Sequence, residues 1–303
     1  MHEGIPVMTL MVALIGEQPL PNLLPVRHYH PDNVLLIYTE RTRQVYNRLK
    51  ATLQQETSVY GLATDAYDIV AIVEALDAEL NKQPELASHV MEFNLTGGTK
   101  AMALAAYQVA QQRNMPVFYL QSEGKYNRIY HYVWDHQQLY ASSNELLPEC
   151  VKLQDLFNVH FGPGEWSEAG ASQSDGGPFE TALAEILSDH GYEVMTGVRA
   201  LQGNVDIDVA VRFENRFGII EAKVGNKGKS LDGIKQLSNA VRHIGTYTQT
   251  FFAITVPPEP AHEATRIASR IKVVSLTSYN RDLHTLSSDD VKQLVSIVDE
   301  SLK

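Results

Sequence analysis

The feature that most constrains this chain is a series of short apolar runs in its first half, each followed by a helical pattern. Met8–Ile15 is apolar almost without a break until Gly16, and VLLIYT follows at 34–39. Further runs lie at Val90–Leu95, Val117–Gln121 and Ile129–Trp134. Between them, Arg41–Gln54 and Ala66–Leu80 read as helices, the latter with Ile69, Val70, Ile72, Val73 and Leu76 on a helical repeat. Lys100–Arg113 is a third helix, rich in alanine. A strand that does not alternate is buried on both faces, which requires helices above and below a parallel sheet. The pattern predicts an α/β fold with a Rossmann-like, doubly wound domain over residues 1–145.

The pattern weakens over 146–175, where FGPGEWSEAGASQSDGGP reads as a linker after a short helix at Leu153–His160. Residues 176–303 resume in a different order. Phe179–Asp189 reads as a helix ended by Gly191, and Tyr192–Arg199, Val205–Phe213 and Phe217–Val224 read as strands. A helix at Leu231–Ile244, a strand at Thr250–Thr255, a helix at Ala261–Arg270 and a strand at Val273–Leu276 follow. This order predicts a mixed sheet flanked by helices. A hydrophobic content of 44% against 20% charged residues is enough for two such cores. A single cysteine, Cys150, excludes an intrachain disulfide and argues against a cysteine zinc site. No apolar stretch approaches the ~20 residues that span a bilayer, and the start lacks a basic leader, so a cytoplasmic protein with no membrane partner is expected.

The second half carries a constellation of charged residues inside apolar strands. Asp208 lies in NVDIDVAV, and Glu221 and Lys223 lie in FGIIEAK. A turn at Asn215–Arg216 would make these two strands an antiparallel hairpin. Glu221 and Lys223 are two residues apart, hence on one strand face, while Ala222 points to the other. Carboxylates on one face can hold hard divalent cations. Such a cation acidifies a water and offsets charge on a phosphoryl group, and a lysine beside it can orient the attacking water. Glu180, on the preceding helix, can add a ligand. The plain alternative is a salt-bridged surface hairpin. Against it, unpaired carboxylates inside strands as apolar as these are costly to bury.

Together, GGPFE, NVDIDVAV, IIEAKV and the helix IKQLSNAVRHIG resemble the PD-(D/E)XK nuclease superfamily over roughly residues 176–255. The resemblance implies that Glu180, Asp208, Glu221 and Lys223 are the catalytic set. Asp208, Glu221 and Glu180 would hold Mn²⁺ or Mg²⁺, and Gln236 matches a polar helix position. Asp206 competes with Asp208, and the family's strand pattern favours Asp208. Lys223, Lys227, Lys229, Lys235 and Arg242 make this region basic. It reads equally as a solvated turn or as a track for a nucleic-acid backbone.

In the first half, Thr96-Gly97-Gly98-Thr99-Lys100 follows a strand and opens a helix. Such a loop offers free N–H groups to a phosphate, although it has neither the Walker spacing nor G-x-G-x-x-G. Two more strand-end segments accompany it, at Gly16–Pro25 with Gln18, Pro19 and Asn22, and at Thr39–Thr42. With NLTGGTKAM they resemble a CARF domain, the CRISPR-associated Rossmann fold. That resemblance implies binding of cyclic oligoadenylates, across the two-fold axis of a homodimer, by Gln18, Pro19, Asn22, Thr39, Thr42, Thr96, Gly97, Gly98, Thr99 and Lys100.

One CARF domain followed by one PD-(D/E)XK domain resembles the effector nucleases of type III CRISPR defence that cyclic tetraadenylate activates. The expected protein is a homodimeric, metal-dependent endonuclease acting on RNA or DNA, with cyclic tetraadenylate as its activator. Two rivals are a constitutive repair or restriction-type nuclease and a nucleotide sensor with no nuclease activity. A formal charge of −11 disfavours nucleic-acid binding over the surface as a whole. It leaves room for a local basic groove.

Overall fold

The computed structural model describes residues 9–82, 90–123, 126–245, 247–260 and 271–303. The chain divides into two compact units, Met1–Cys150 and Val151–Lys303. It is a mixed α/β protein with one sheet in each unit. Among the described residues no helix is long and apolar enough to cross a membrane.

The first unit is a seven-stranded sheet in the order β3-β2-β1-β4-β5-β6-β7. Strands β1 (Thr9–Leu14), β2 (Asn33–Tyr38), β3 (Ser58–Ala63), β4 (Val90–Asn94) and β5 (Val117–Glu123) are parallel. The apolar runs behave as their lack of alternation requires. Every residue of β2 is buried, as are all but the first of β1. On one face Leu10, Val12, Leu35, Ile37 and Phe93 meet helices α3 (Ile69–Lys82) and α4 (Lys100–Arg113) through Ile72, Leu76, Met102 and Val109. Helix α1 (Leu20–Tyr29) packs on β1, and α2 (Arg43–Leu53) on β2 and β3.

Three details differ from the sequence reading. Gly16–Pro25 is not wholly a loop, because α1 starts at Leu20 and contains Pro21 and Pro25. Pro21, in the first turn, sacrifices no hydrogen bond, since the first four N–H groups have no intrahelical acceptor, whereas Pro25 lies inside the helix and gives one up. The edge strand β3 and strand β7 (Gln138–Leu146) extend the sheet beyond the expected strands, and β7 forms an antiparallel hairpin with the expected β6 (Tyr126–Asp135). Their turn, His136–Gln137, takes left-handed φ values of 46° and 69° without a glycine.

The second unit is a six-stranded mixed sheet, β13-β12-β11-β10-β9-β8. It comprises β8 (Trp166–Glu168), β9 (Glu193–Ala200), β10 (Val205–Phe213), β11 (Arg216–Lys223), β12 (Gln249–Ile254) and β13 (Lys272–Ser275). β8 to β11 are antiparallel and β11 to β13 parallel. Helix α5 (Leu153–Phe161) belongs to this unit, with α6 (Gly177–Asp189), α7 (Asp232–Ile244) and α8 (Ser288–Leu302). On one face Val209, Val211, Ile220 and Ala222 pack with Phe179, Leu183, Leu187, Leu294 and Val298 of α6 and α8. The helix expected at Ala261–Arg270 lies outside the described residues.

Candidate functional site

The β10–β11 hairpin turns at Glu214–Asn215, one residue earlier than the sequence suggested. The register pairs Phe213 with Arg216 and Val209 with Ile220. One further step along that register sets Asp208 opposite Glu221, on the same side of the sheet. Glu214 provides the turn with φ 52°. The ladder then gives way to side-chain chemistry. The Asp208 carboxylate accepts the backbone N–H of Ala222 at 2.7 Å and lies 3.4 Å from the Lys223 ammonium. The same ammonium is hydrogen-bonded to Glu221. Three expected residues therefore meet at the carboxyl end of β11.

Glu221 is 2% exposed. Burial, and then repulsion from Asp208, pushes its carboxyl pKa up to about 8 despite Lys223. Burial pulls the Lys223 ammonium down, but Glu221 and Asp208 together outweigh it and hold it above the value of free lysine. Asp206 is outside this cluster. Its carboxylate is half-exposed and pairs with Arg199 on β9 at 3.6 Å.

Glu180 is buried in the first turn of α6. Its carboxylate accepts the backbone N–H of Ser172 at 2.8 Å, and burial, with Asp208 adding to it, raises its pKa. It faces the cluster electrostatically without touching it. Ser172 was not singled out from the sequence, since a serine in a Gly/Ser-rich stretch carries no signal of its own. Among the described residues, no three histidine, cysteine or acidic side chains are grouped closely enough to hold a metal ion as they stand. The donor chemistry nonetheless suits a hard cation. Two carboxylates converge on one positive charge, and one of them is almost fully buried.

In the first unit the sheet order reverses between β1 and β4, and both carboxyl ends open there. The loops are fitted to each other by glycine. A Cβ at Gly97 would overlap the Leu14 carbonyl oxygen, and one at Gly16 would come within 3.3 Å of the Gly98 nitrogen. Gly98 has φ 72° and lies against Leu14 and Met102. The hydroxyls expected to face a ligand are largely engaged. Thr99 caps α4 by accepting from Met102 N at 3.2 Å and donates to the Ala66 carbonyl at 2.6 Å. Thr96 accepts from Leu120 N at 2.8 Å. Thr39 and Thr42 are both buried and cap each other across a single turn.

Asn22, inside α1 and fully buried, donates to the Leu14 carbonyl at 3.0 Å, while its own carbonyl oxygen has no partner among the described residues. Pro19 is buried, Gln18 half-buried and Lys100 exposed at the first turn of α4. Asn94, missed in the sequence, ties the crevice together. It donates to the Pro21 carbonyl at 2.9 Å and accepts from Thr96 N at 3.0 Å. An asparagine closing an apolar strand was the available clue.

Residues 10–145 match the family model of the Card1 CARF domain. The first unit is a CARF domain. No curated protein matches the chain in sequence. Among solved structures the whole chain is similar to Can2 from Sulfobacillus thermosulfidooxidans in complex with cyclic tetra-adenylate. The TM-score is 0.75 at 16% identity, covering 98% of this chain and 100% of Can2. It is also similar to VC1899 from Vibrio cholerae, with TM-score 0.70, 13% identity and coverage of 97% and 99%. A type III CRISPR defence DNA nuclease activated by cyclic oligoadenylate gives TM-score 0.61 at 16% identity. That match covers 82% of this chain but 46% of the nuclease. At these identities the likeness is one of fold.

Proposed function

We propose that the chain is a cyclic oligoadenylate-activated, metal-dependent endonuclease of type III CRISPR defence. In this reading cyclic tetraadenylate is the activator and RNA or DNA the substrate. The observation that carries the reading is the convergence of Asp208 and Glu221 on Lys223 at the end of a buried hairpin. A CARF domain in the same chain supports the activation. So do the fold likenesses to Can2, solved with cyclic tetra-adenylate, and to the oligoadenylate-activated DNA nuclease.

Asp208 and Glu221, with Glu180 from α6, would hold Mn²⁺ or Mg²⁺. Such an ion, when bound, would supply Lewis acidity toward the phosphoryl group and acidify a water. The chain's own residues do the rest. The Ala222 N–H fixes the Asp208 carboxylate, so one of its oxygens has a set direction. Lys223 partly offsets the burial that raises the Glu221 pKa, and it presents positive charge where a phosphate would enter. The Ser172 N–H fixes one oxygen of the Glu180 carboxylate at the start of α6. In the first unit the ring would bind over Thr96–Lys100, against Gln18, Pro19, Asn22, Thr39 and Thr42. The unpartnered Asn22 oxygen and the exposed Lys100 offer an acceptor and a cation to adenine and phosphate. Two copies pairing through this unit would enclose one ring. A ligand shifts such an equilibrium only through its preference for the active arrangement.

The test incubates the protein with single-stranded RNA, single-stranded DNA and supercoiled plasmid, with and without cyclic tetraadenylate and Mn²⁺ or Mg²⁺. Cleavage should require both. Equal cleavage by Asp208→Ala would refute the site, and cleavage without the ring would refute the activation. Ring binding with no cleavage of any substrate would favour the sensor reading. The ion pairs that already occupy both carboxylates are the observation on that side.

A further inference from the structure

Two residues past Lys223 the chain reaches Gly225, with φ 60°, whose backbone N–H donates to the Thr255 hydroxyl at 2.9 Å. The Arg281 guanidinium lies directly over its α-carbon, in the space a Cβ would need. Arg281 is exposed, and among the described residues no carboxylate pairs with it.

Its position is built. Tyr279, two residues earlier, packs its ring at a tilt against Phe179 of α6, the residue before Glu180, with ring centroids 4.7 Å apart. Asn280 bridges to Thr285, and its side-chain oxygen accepts from the N–H groups of Asp282 and Leu283 at 2.9 and 3.0 Å. The loop that carries Arg281 is thus anchored on both sides. The segment beneath it adds Lys227 and Lys229, both exposed and, among the described residues, free of carboxylate partners. Two separate pieces of chain thus bring three cations, without carboxylate partners among the described residues, to the segment that leaves the carboxyl end of β11 just after Lys223.

We propose that Arg281 is a positioning residue of the nuclease site, holding a phosphate that flanks the scissile one while Lys227 and Lys229 continue the backbone track. A guanidinium fork matches two phosphate oxygens at once, and the exposed Arg281 side chain rests one arm over Gly225. The inference deepens the nuclease reading and rests on it. Its test therefore has two arms. Binding of a fluorescein-labelled DNA duplex and of a labelled RNA strand is measured by anisotropy in EDTA, with cyclic tetraadenylate present, as salt is varied. Arg281→Ala should bind about tenfold more weakly, with a salt dependence shallower by about one phosphate contact. Arg281→Lys should restore the salt slope but only part of the affinity. In the second arm, with Mn²⁺, Arg281→Ala should raise KM more than it lowers kcat, whereas Asp208→Asn should remove kcat. Unchanged anisotropy and salt slope in Arg281→Ala, at an unchanged melting temperature, would overturn the proposal even if the wild type cleaves. So would a wild type that binds neither nucleic acid. Binding that depends on Arg281 with no cleavage of any substrate would remove the nuclease reading and the positioning role with it, leaving Arg281 a nucleic-acid contact only.

Discussion

Lys223 is held by two acids, and the three residues have unequal tolerance to change. Asp208 alone also serves the backbone, through Ala222 N. Asp208→Asn keeps an acceptor for that N–H and loses only the charge, so the hairpin should stay folded. Cleavage should fall by roughly a hundredfold or more, since losing groups that merely support a metal ligand already costs 10–100-fold. Cleavage rates beside a far-ultraviolet melt of the same sample decide it, and a melt as low as that of a misfolded hairpin would invalidate the assignment. Gly97 is the corresponding residue in the first unit. A methyl group there meets the Leu14 carbonyl, which cannot move without breaking the Asn22 hydrogen bond. Gly97→Ala should cost about 1–3 kcal/mol, as overpacking does. It should also weaken ring binding, read by denaturant unfolding and by calorimetry with cyclic tetraadenylate. Unchanged values in both would show the crevice to be looser than its contacts indicate.

Among the described elements, the β6–β7 hairpin is attached through a cluster of titratable groups. His131 of β6 lies 3.0 Å from Glu92 of β4 and 3.3 Å from Glu145 of β7, and the Tyr29 hydroxyl of α1 joins both His131 and Glu145. His28 adds a 3.5 Å contact to Glu145. The Glu92 hydrogen bond, opposed by burial, raises the His131 pKa above its ordinary 6.5. The stability it contributes is complete below pH 6.5 and is lost as pH rises through the folded value. Glu145 is held below 4.5, chiefly by Tyr29, so its contribution is complete above pH 4.5 and is lost as pH falls through its folded value. The difference in melting temperature between wild type and His131→Gln should therefore be largest between pH 4.5 and 6.5 and shrink on the alkaline side. A difference independent of pH would mean that His131 only packs.

Much of the element layout was legible because it rests on local pattern. The doubly buried strands β1, β2 and β4, the alanine-rich α4 and the β10 strand follow from periodicity alone. What escaped was set by tertiary context. β3 is a half-exposed edge with no alternation to read, and the His136–Gln137 turn has left-handed residues that are not glycine. α1 is held by burial of Leu20, Leu23, Leu24 and Val26 despite two prolines. The residues meant to bind a ring were identifiable as loop residues. That Thr39, Thr42, Thr96 and Thr99 spend their hydroxyls on the loops themselves was not, since it depends on which carbonyls and N–H groups the fold brings near.

In the whole molecule, the crevice residues belong to one compact unit and the carboxylate cluster to the other. Each has its own core, so chemistry at one site should be separable from binding at the other. In the proposed function cyclic tetraadenylate binds the folded first unit and not the unfolded chain. At a free concentration of 100 Kd it should then add about 2.7 kcal/mol to the stability of that unit. The carboxylates take no part in that energy. EDTA should therefore abolish cleavage while leaving the ligand-induced rise in melting temperature intact, and Asp208→Asn should show the same full rise. Gly97→Ala should do the reverse, losing the rise and the ring-dependent cleavage together while its second unit melts as in the wild type. Differential scanning calorimetry of the three proteins, each with and without ring and EDTA, resolves the cases. If EDTA or Asp208→Asn erases the ligand-induced rise, the ring draws on the carboxylate site, and the division of labour between sensing and cutting is wrong.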